Sequence, residues 1–225
     1  MTRNGALERI SLTIVPEVDQ TATEHPLVAD LSGRLEGRLA VLEPLAARHG
    51  PGLSEAARDG ELFTWLPEDL ADQAALHDWL EDSIDAHHHG TAVPFAILSA
   101  RTGQPVGSTR FHEVRLEHLR VEIGWTWLAR SVWGSGINVE CKLLLLAHAF
   151  ERVGCRRVEF KTDARNLRSR GALEALGAQF EGILRKHMVV QRGEPRDSAY
   201  YSVIDDEWPS VKRRLERRLE LHLGG

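Results

Sequence analysis

Trp133, Gly134, Ser135, Gly136, Ile137 and Asn138 are the residues whose types and spacing first suggest chemistry. Two glycines one residue apart free the backbone for a tight path and expose several N–H groups together. If a helix follows, its first amides lack internal partners and carry the positive end of the helix dipole, so a phosphate or pyrophosphate is a natural ligand. Two nucleotide motifs do not fit: no Gly-Lys-Ser/Thr ends a P-loop, and the third glycine of the dinucleotide fingerprint falls at Val139. An ordinary turn between strand and helix has the same composition, so the loop alone leaves both readings open.

Other reactive residue types point to less. His87, His88 and His89 are consecutive, and neighbours on a helix diverge by about 100°, so they cannot converge on one ion. No acidic or cysteine ligand lies at the usual spacing, and no metal is expected. Cys141 and Cys155 are the only cysteines, which excludes a disulfide framework and a four-cysteine zinc site and fits a reducing compartment. Cys141 reads as a small buried hydrophobe rather than a nucleophile.

The elements that must position the loop are legible on both sides of it. Val121, Ile123, Trp125 and Trp127 alternate with smaller or polar residues, which predicts a half-buried strand over 121–128. Val139, Leu143, Leu146, Phe150 and Val153 recur at steps of four and three, predicting a helix with Asn138, Lys142, Glu151 and Arg152 on its other side.

Upstream, residues 1–30 read as an N-terminal arm to which no chemistry is assigned, followed by a single domain over 31–225. The alternation from Leu31 to Leu42 predicts a strand pair or one bent strand ending at Pro44. Helices are expected over 44–59 and from Pro67 to His88, then strands over 91–100, 105–114 and 116–128 as an antiparallel meander. Beyond the long helix, Arg156 to Thr162 reads as a strand parallel to 121–128, because a helical crossover joins them. Asn166 caps a helix that stops at Gly177. A hairpin follows over 178–191 and 196–204, and the final helix spans 206–222 with Trp208, Val211, Leu215 and Leu219 inward.

At 225 residues with a net charge of -5, the chain can bury one large core and lacks the basic field of a general nucleic-acid binder. No stretch approaches the ~18 apolar residues of a membrane span, and no leader is visible, so a soluble cytoplasmic protein is expected, with no nucleic-acid or membrane partner. A homodimer through the N-terminal arm is left open.

This order of elements, the glycine loop, and Asn166–Ala178 (NLRSRGALEALGA) resemble the GCN5-related N-acetyltransferase (GNAT) superfamily, in its ribosomal-protein-alanine N-acetyltransferase branch. The resemblance covers about residues 33–206. It implies an α+β fold: a mostly antiparallel sheet of six to seven strands flanked by helices, whose fourth and fifth strands, here 121–128 and 156–162, splay to admit acetyl-CoA. The family's pyrophosphate loop reads Gln or Arg, two residues, Gly, one residue, then Gly or Ala. Here Gly136 keeps the central glycine, while Trp133 and Asn138 replace the flanking types, and an amide cradle needs only backbone.

What the resemblance implies for function is an N-acetyltransferase that moves an acetyl group from acetyl-CoA, as cosubstrate, to a primary amine by direct attack in a ternary complex. The acceptor is a protein N-terminus or a small-molecule amine. Trp127 and Leu128 are expected beside the pantetheine, Gly134 to Asn138 under the pyrophosphate, and Asn166 on the pantetheine arm as well as at its helix cap. Glu122 is the candidate base, acting through water, and alternation sets it with Gly124 and Thr126 opposite Ile123, Trp125 and Trp127. Backbone N–H groups near Leu128 are the oxyanion donors. Ser169 is a candidate proton source for the thiolate, and it is equally placed to close the cap with Asn166; Tyr200 and Tyr201 are alternative hydroxyls. Phe63, Trp65, Arg110, His112 and Glu113 could line the acceptor pocket, and Trp125 or Trp127 could join them. Two other functions share the fold: a non-catalytic acyl-CoA-binding or regulatory module, and an acyltransferase using a longer donor such as succinyl-CoA.

Overall fold

The computed structural model describes residues 31–224, and the expected N-terminal arm lies outside them. Eight strands among these residues form one sheet: β1 (Leu35–Glu36), β2 (Ala40–Pro44), β3 (Ala92–Ser99), β4 (Pro105–Arg115), β5 (Arg120–Leu128), β6 (Arg157–Asp163), β7 (Gln179–Val189) and β8 (Pro195–Ile204). Their spatial order is β1-β2-β3-β4-β5-β6-β8-β7. All neighbours are antiparallel except β5 and β6, which the helix Ile137–Ala147 joins by a crossover. The sheet exceeds the expected six to seven strands because the Leu31–Leu42 alternation folds as a pair rather than one bent strand, adding a two-residue edge.

Helices cover both faces. On one, Ile137–Ala147 with its π-helical continuation His148–Val153, and the final helix Trp208–Leu223, bury Leu145, Leu146, Val211 and Leu215 against Val121, Val158 and Val203. On the other, Gly50–Ala56 and Gln73–His88 bury Leu53, Trp79 and Leu80 against Ala96 and Trp127. Gln73–His88 starts six residues later than expected, because Asp72 accepts from the amides of Ala74 and Ala75 at 2.9 Å and fixes the start there. Similarly, residues 44–59 split into a 3-10 turn and a short helix, and Leu116–His118 is a 3-10 turn that delays β5 to Arg120.

The long helix departs from its predicted stripe. Leu143 and Phe150 are only partly covered, whereas Glu140 and Lys142 are 3% and 8% exposed. Apolar periodicity places Lys142 on the solvated side; the helix instead buries polar groups because each has a partner. Glu140 accepts from the backbone amides of Arg38, Leu39 and Ala40 at 2.8, 2.6 and 2.7 Å, clamping the β1–β2 hairpin to the helix. Gly37 makes room for it, since a Cβ there would lie 2.3 Å from the Glu140 carboxyl carbon.

Candidate active site

β5 and β6 pair through only three rungs, Arg120 with Arg157, Val121 with Val158 and Glu122 with Glu159, and then part. The splay opens a cleft of about 680 Å³ between Ile123–Leu128 and Phe160–Thr162. Past the last rung the two facing strand edges offer backbone N–H and C=O groups to whatever enters.

A bulge decides which side chains point where. β4 and β5 slip register between Ser108 and Arg110, and Trp125 takes the positive φ of 51° that accommodates the extra residue. Strict alternation puts Trp125 and Trp127 opposite Glu122. In the structure both tryptophans pack with the core of the Gln73–His88 face, while Thr126 turns to the long helix. There the Lys142 ammonium donates to Thr126 Oγ1 at 2.7 Å, and Thr126 shares a second 2.7 Å hydrogen bond with Thr109. Burial pushes Lys142 down to about 8, within the cleft wall.

The glycine turn lies at one end of the cleft. Gly134 and Gly136 have φ of 77° and 89°, and Gly136 begins the helix in a left-handed conformation with no side-chain cap. The first intrahelical bond runs from Glu140 N to Gly136 O, so the amides of Asn138 and Val139 point out of the helix. Gly136 is also pressed from behind: a Cβ would lie 2.8 Å from His222 and 2.9 Å from Leu39, while one on Gly134 meets nothing within 4 Å. Trp133 donates its ring N–H to Leu128 O at 2.8 Å, and the Arg168 guanidinium sits 3.0 Å from its ring centre. Arg130, on the same ring at 4.6 Å, is committed to Asp59 and Glu61. Arg168 has no ion pair among the described residues and supplies a cation beside the outward amides.

Glu122 is 1% exposed and stands behind the cleft surface, between the lining residues Gly124 and Lys161. Its carboxylate lies 3.1 Å from His112 Nε2 and 3.2 Å from Lys161 Nζ. His112 Nε2 and Glu122 Oε1 are close, but neither has a well-directed hydrogen-bond partner. Burial alone would raise the carboxyl, but His112 and then Lys161 outweigh it and hold it below the usual carboxylate range.

Asn166 and Ser169 both line the cleft. Asn166 Oδ1 accepts from Ser169 N at 3.0 Å, so the cap engages the carbonyl oxygen and leaves the side-chain NH2 group. Neither tyrosine lines the cleft: Tyr201 hydrogen bonds Arg170 and Glu174 in the core, and Tyr200 lies 3.3 Å from His187. Burial pushes the Cys141 thiol up to about 12, consistent with a packing role. Among the proposed acceptor residues, Trp65, Trp125 and Trp127 line the cleft, whereas Phe63 is buried against Trp127, Arg110 lies over Trp125, and Glu113 pairs with Arg115. Lys142, Arg168 and Arg196 are lining residues that the apolar pattern gave no reason to select. For Arg168 the available signal was its place two residues after Asn166.

No group of three or more His, Cys, Asp or Glu residues among those described is arranged to hold a metal ion, and no described helix is long and apolar enough to cross a membrane.

The family described as acetyltransferase (GNAT) domain matches residues 40–179. "Putative ribosomal N-acetyltransferase YdaF" of Bacillus subtilis (strain 168) is 31% identical over 110 residues, which are 49% of this chain and 59% of that protein. The chain spans 57% and 59% of the length of two curated relatives it matches. Among solved structures, a putative acetyltransferase from T. thermophilus superposes with a TM-score of 0.75 at 42% identity, covering 83% of this chain and 96% of that one. Mycobacterium smegmatis RimJ, solved in complex with CoA-disulfide, superposes with a TM-score of 0.70 at 25% identity, covering 83% and 93%.

Proposed function

Because this chain belongs to the acetyltransferase (GNAT) domain family, we propose that it is an N-acetyltransferase that uses acetyl-CoA to acetylate a primary amine by direct attack in a ternary complex. The observation that carries this reading is the splay of β5 from β6 with an uncapped helix N-terminus at its end. A pyrophosphate fits the outward amides of Asn138 and Val139 beside Arg168, and an extended arm with two amides fits the open edge of β5. Acetyl-CoA supplies an already activated thioester, so the protein's task is positioning and proton movement.

The roles follow from position. Backbone N–H groups near Leu128 are placed to polarise the carbonyl, and the Asn166 NH2 to hold the pantetheine arm. Glu122, held below the usual carboxylate range, draws the amine proton through a water. Ser169, which lines the cleft, is the proposed proton donor to the departing thiolate. The bulge at Trp125 sets the tryptophans and Glu122 on one face and the helix N-terminus on the other, so acceptor and donor approach the splay from opposite sides. The free, buried cysteines fit the reducing cytoplasm, where we place the protein.

The test mixes acetyl-CoA with free amines and with peptides bearing free N-termini, and follows release of CoA and gain of an acetyl group by mass. Turnover on any amine supports the reading. Tight acetyl-CoA binding with no release on the whole panel identifies a binding module instead, and faster release from succinyl-CoA identifies a longer-chain acyltransferase.

A further inference from the structure

Arg196 opens β8 and is 4% exposed, yet its guanidinium makes no hydrogen bond or ion-pair contact among the described residues, and Nε has no partner. It lines the cleft. Along β8, Ala199, Tyr201 and Val203 belong to the core under the long helix, so Arg196 stands on the other face, with Lys161 and Glu122. Its wall of the cleft is closed by Trp65 and Leu66, held there by Gln191, whose side-chain NH2 donates to Phe63 O and Leu66 O at 2.9 Å.

A buried guanidinium without a partner is costly, and the neighbouring acids are all taken. Asp163 accepts two bonds from Arg165 at 3.0 and 2.8 Å. Glu122 is shared by His112 and Lys161, and Glu113 is paired with Arg115. The two carboxylates that attract Arg196, those of Asp163 and Glu122, are thus engaged by other cations and neither pairs with it. Such a site disfavours a polycationic acceptor and favours one that brings a negative charge.

We propose that Arg196 is the binding site for a carboxylate on the acceptor, so that the substrate is an amine that also carries an acid, either the α-carboxylate of an amino acid or the side chain of an acidic residue near a peptide N-terminus. This rests on the acetyltransferase reading and names its substrate class. The planar guanidinium fork matches a carboxylate in two hydrogen bonds and fixes the distance of the amine from the thioester.

The test is an equilibrium titration of the CoA-saturated protein with product-like pairs: N-acetylglycine against N-acetylglycinamide, and N-acetyl-Gly-Asp-amide against N-acetyl-Gly-Asn-amide. At least one acid should bind about tenfold or more tightly than its amide, and the pair that discriminates identifies the source of the carboxylate. In Arg196→Gln the ratio should fall to near one with CoA affinity unchanged. Arg196→Lys, which keeps the charge without the fork, should retain part of the preference and covers the case in which Arg196→Gln does not fold. Equal binding of acids and amides, no saturable binding of either acid, or a preference that survives in Arg196→Gln would overturn the proposal. Failure of the acetyltransfer reading shows separately, as the absence of CoA release from acetyl-CoA with free amines.

Discussion

Lys161 Nζ lies 3.2 Å from Glu122 Oε2, across the two strands where their pairing has just ended. The contact ties a lining residue of β6 to the buried carboxylate of β5 and, with His112, keeps that carboxylate ionised.

Glu122→Gln is therefore expected to lower kcat/KM about 10²- to 10⁴-fold while acetyl-CoA still binds. Because the carboxyl is held below its usual range, the wild-type acid limb from this group should fall below the range of an ordinary glutamate. Dependence on pH near neutrality then comes from other groups, the acceptor amine and Lys142 at about 8 among them. Equal kcat/KM for the two proteins across pH would remove Glu122 as the base.

The same residue makes a stability prediction. A carboxyl lowered by folding contributes stability above its unfolded pKa, and loses it as pH falls through the folded value. Urea unfolding of wild type should weaken on acidification more steeply than that of Glu122→Gln, which should itself cost about 3 kcal/mol at pH 7 for disrupting a buried pair. Parallel pH dependences would place the acid sensitivity elsewhere.

Lys142 predicts a slope of the same sign in a higher pH window. With its pKa lowered from near 10.5 to about 8, the unfolded chain holds a proton between those values that the folded chain has released, so stability gains roughly 3 kcal/mol as pH rises through that window. Lys142→Met removes the dependence. The stability of wild type relative to this variant should increase between pH 7 and pH 10 in matched denaturant titrations, and a constant difference would mean that Lys142 is not carried as a buried amine.

At the glycine turn, Gly134 is the position to test. A methyl there points into open cleft and requires only a left-handed alanine, costing about 1 kcal/mol of stability, whereas Gly136→Ala also drives into His222 and Leu39. Calorimetry should show CoA affinity falling about tenfold or more in Gly134→Ala with little change in Tm. In Gly136→Ala, Tm should fall as well. Unchanged affinity in both would separate the turn from the coenzyme.

Glu140→Ala leaves three amides, those of Arg38, Leu39 and Ala40, without their acceptor and should cost about 3 kcal/mol or more by urea unfolding, with Glu140→Gln between. A loss under about 1 kcal/mol would mean that water replaces the carboxylate.

The strand, glycine turn and helix were legible because each has a local signature: alternation from Val121, paired glycines, then a 3.6-residue stripe. The last helix was legible to its inward residues for the same reason. Three things lay beyond such signals. The bulge at Trp125 is a mismatch between β4 and β5, invisible in β5 alone, and it reversed the side to which Trp125, Thr126 and Trp127 point. Lys142 and Glu140 look like solvated positions until Thr126 and the Arg38–Ala40 amides, 16 and about 100 residues away, supply their hydrogen bonds. Arg196 became distinctive only when its neighbouring acids proved to be engaged.

Three rungs join β5 to β6, and their consequence reaches beyond the cleft. The sheet is two antiparallel plates, β1 to β5 and β6 with β8 and β7, sharing a short hinge. A single core spans the hinge beneath the long helix, but the core on the opposite face belongs wholly to the first plate. There the links between the plates are polar, among them Lys161 with Glu122, Arg120 with Glu159, Arg165 over Trp65, and Gln191 with the loop carrying Phe63 and Leu66. Amide hydrogens flanking the splay should exchange together and ahead of those inside either plate, and a ligand lying along β5 should slow them. Coenzyme binding would then act as a missing strand, converting two cooperative units into one.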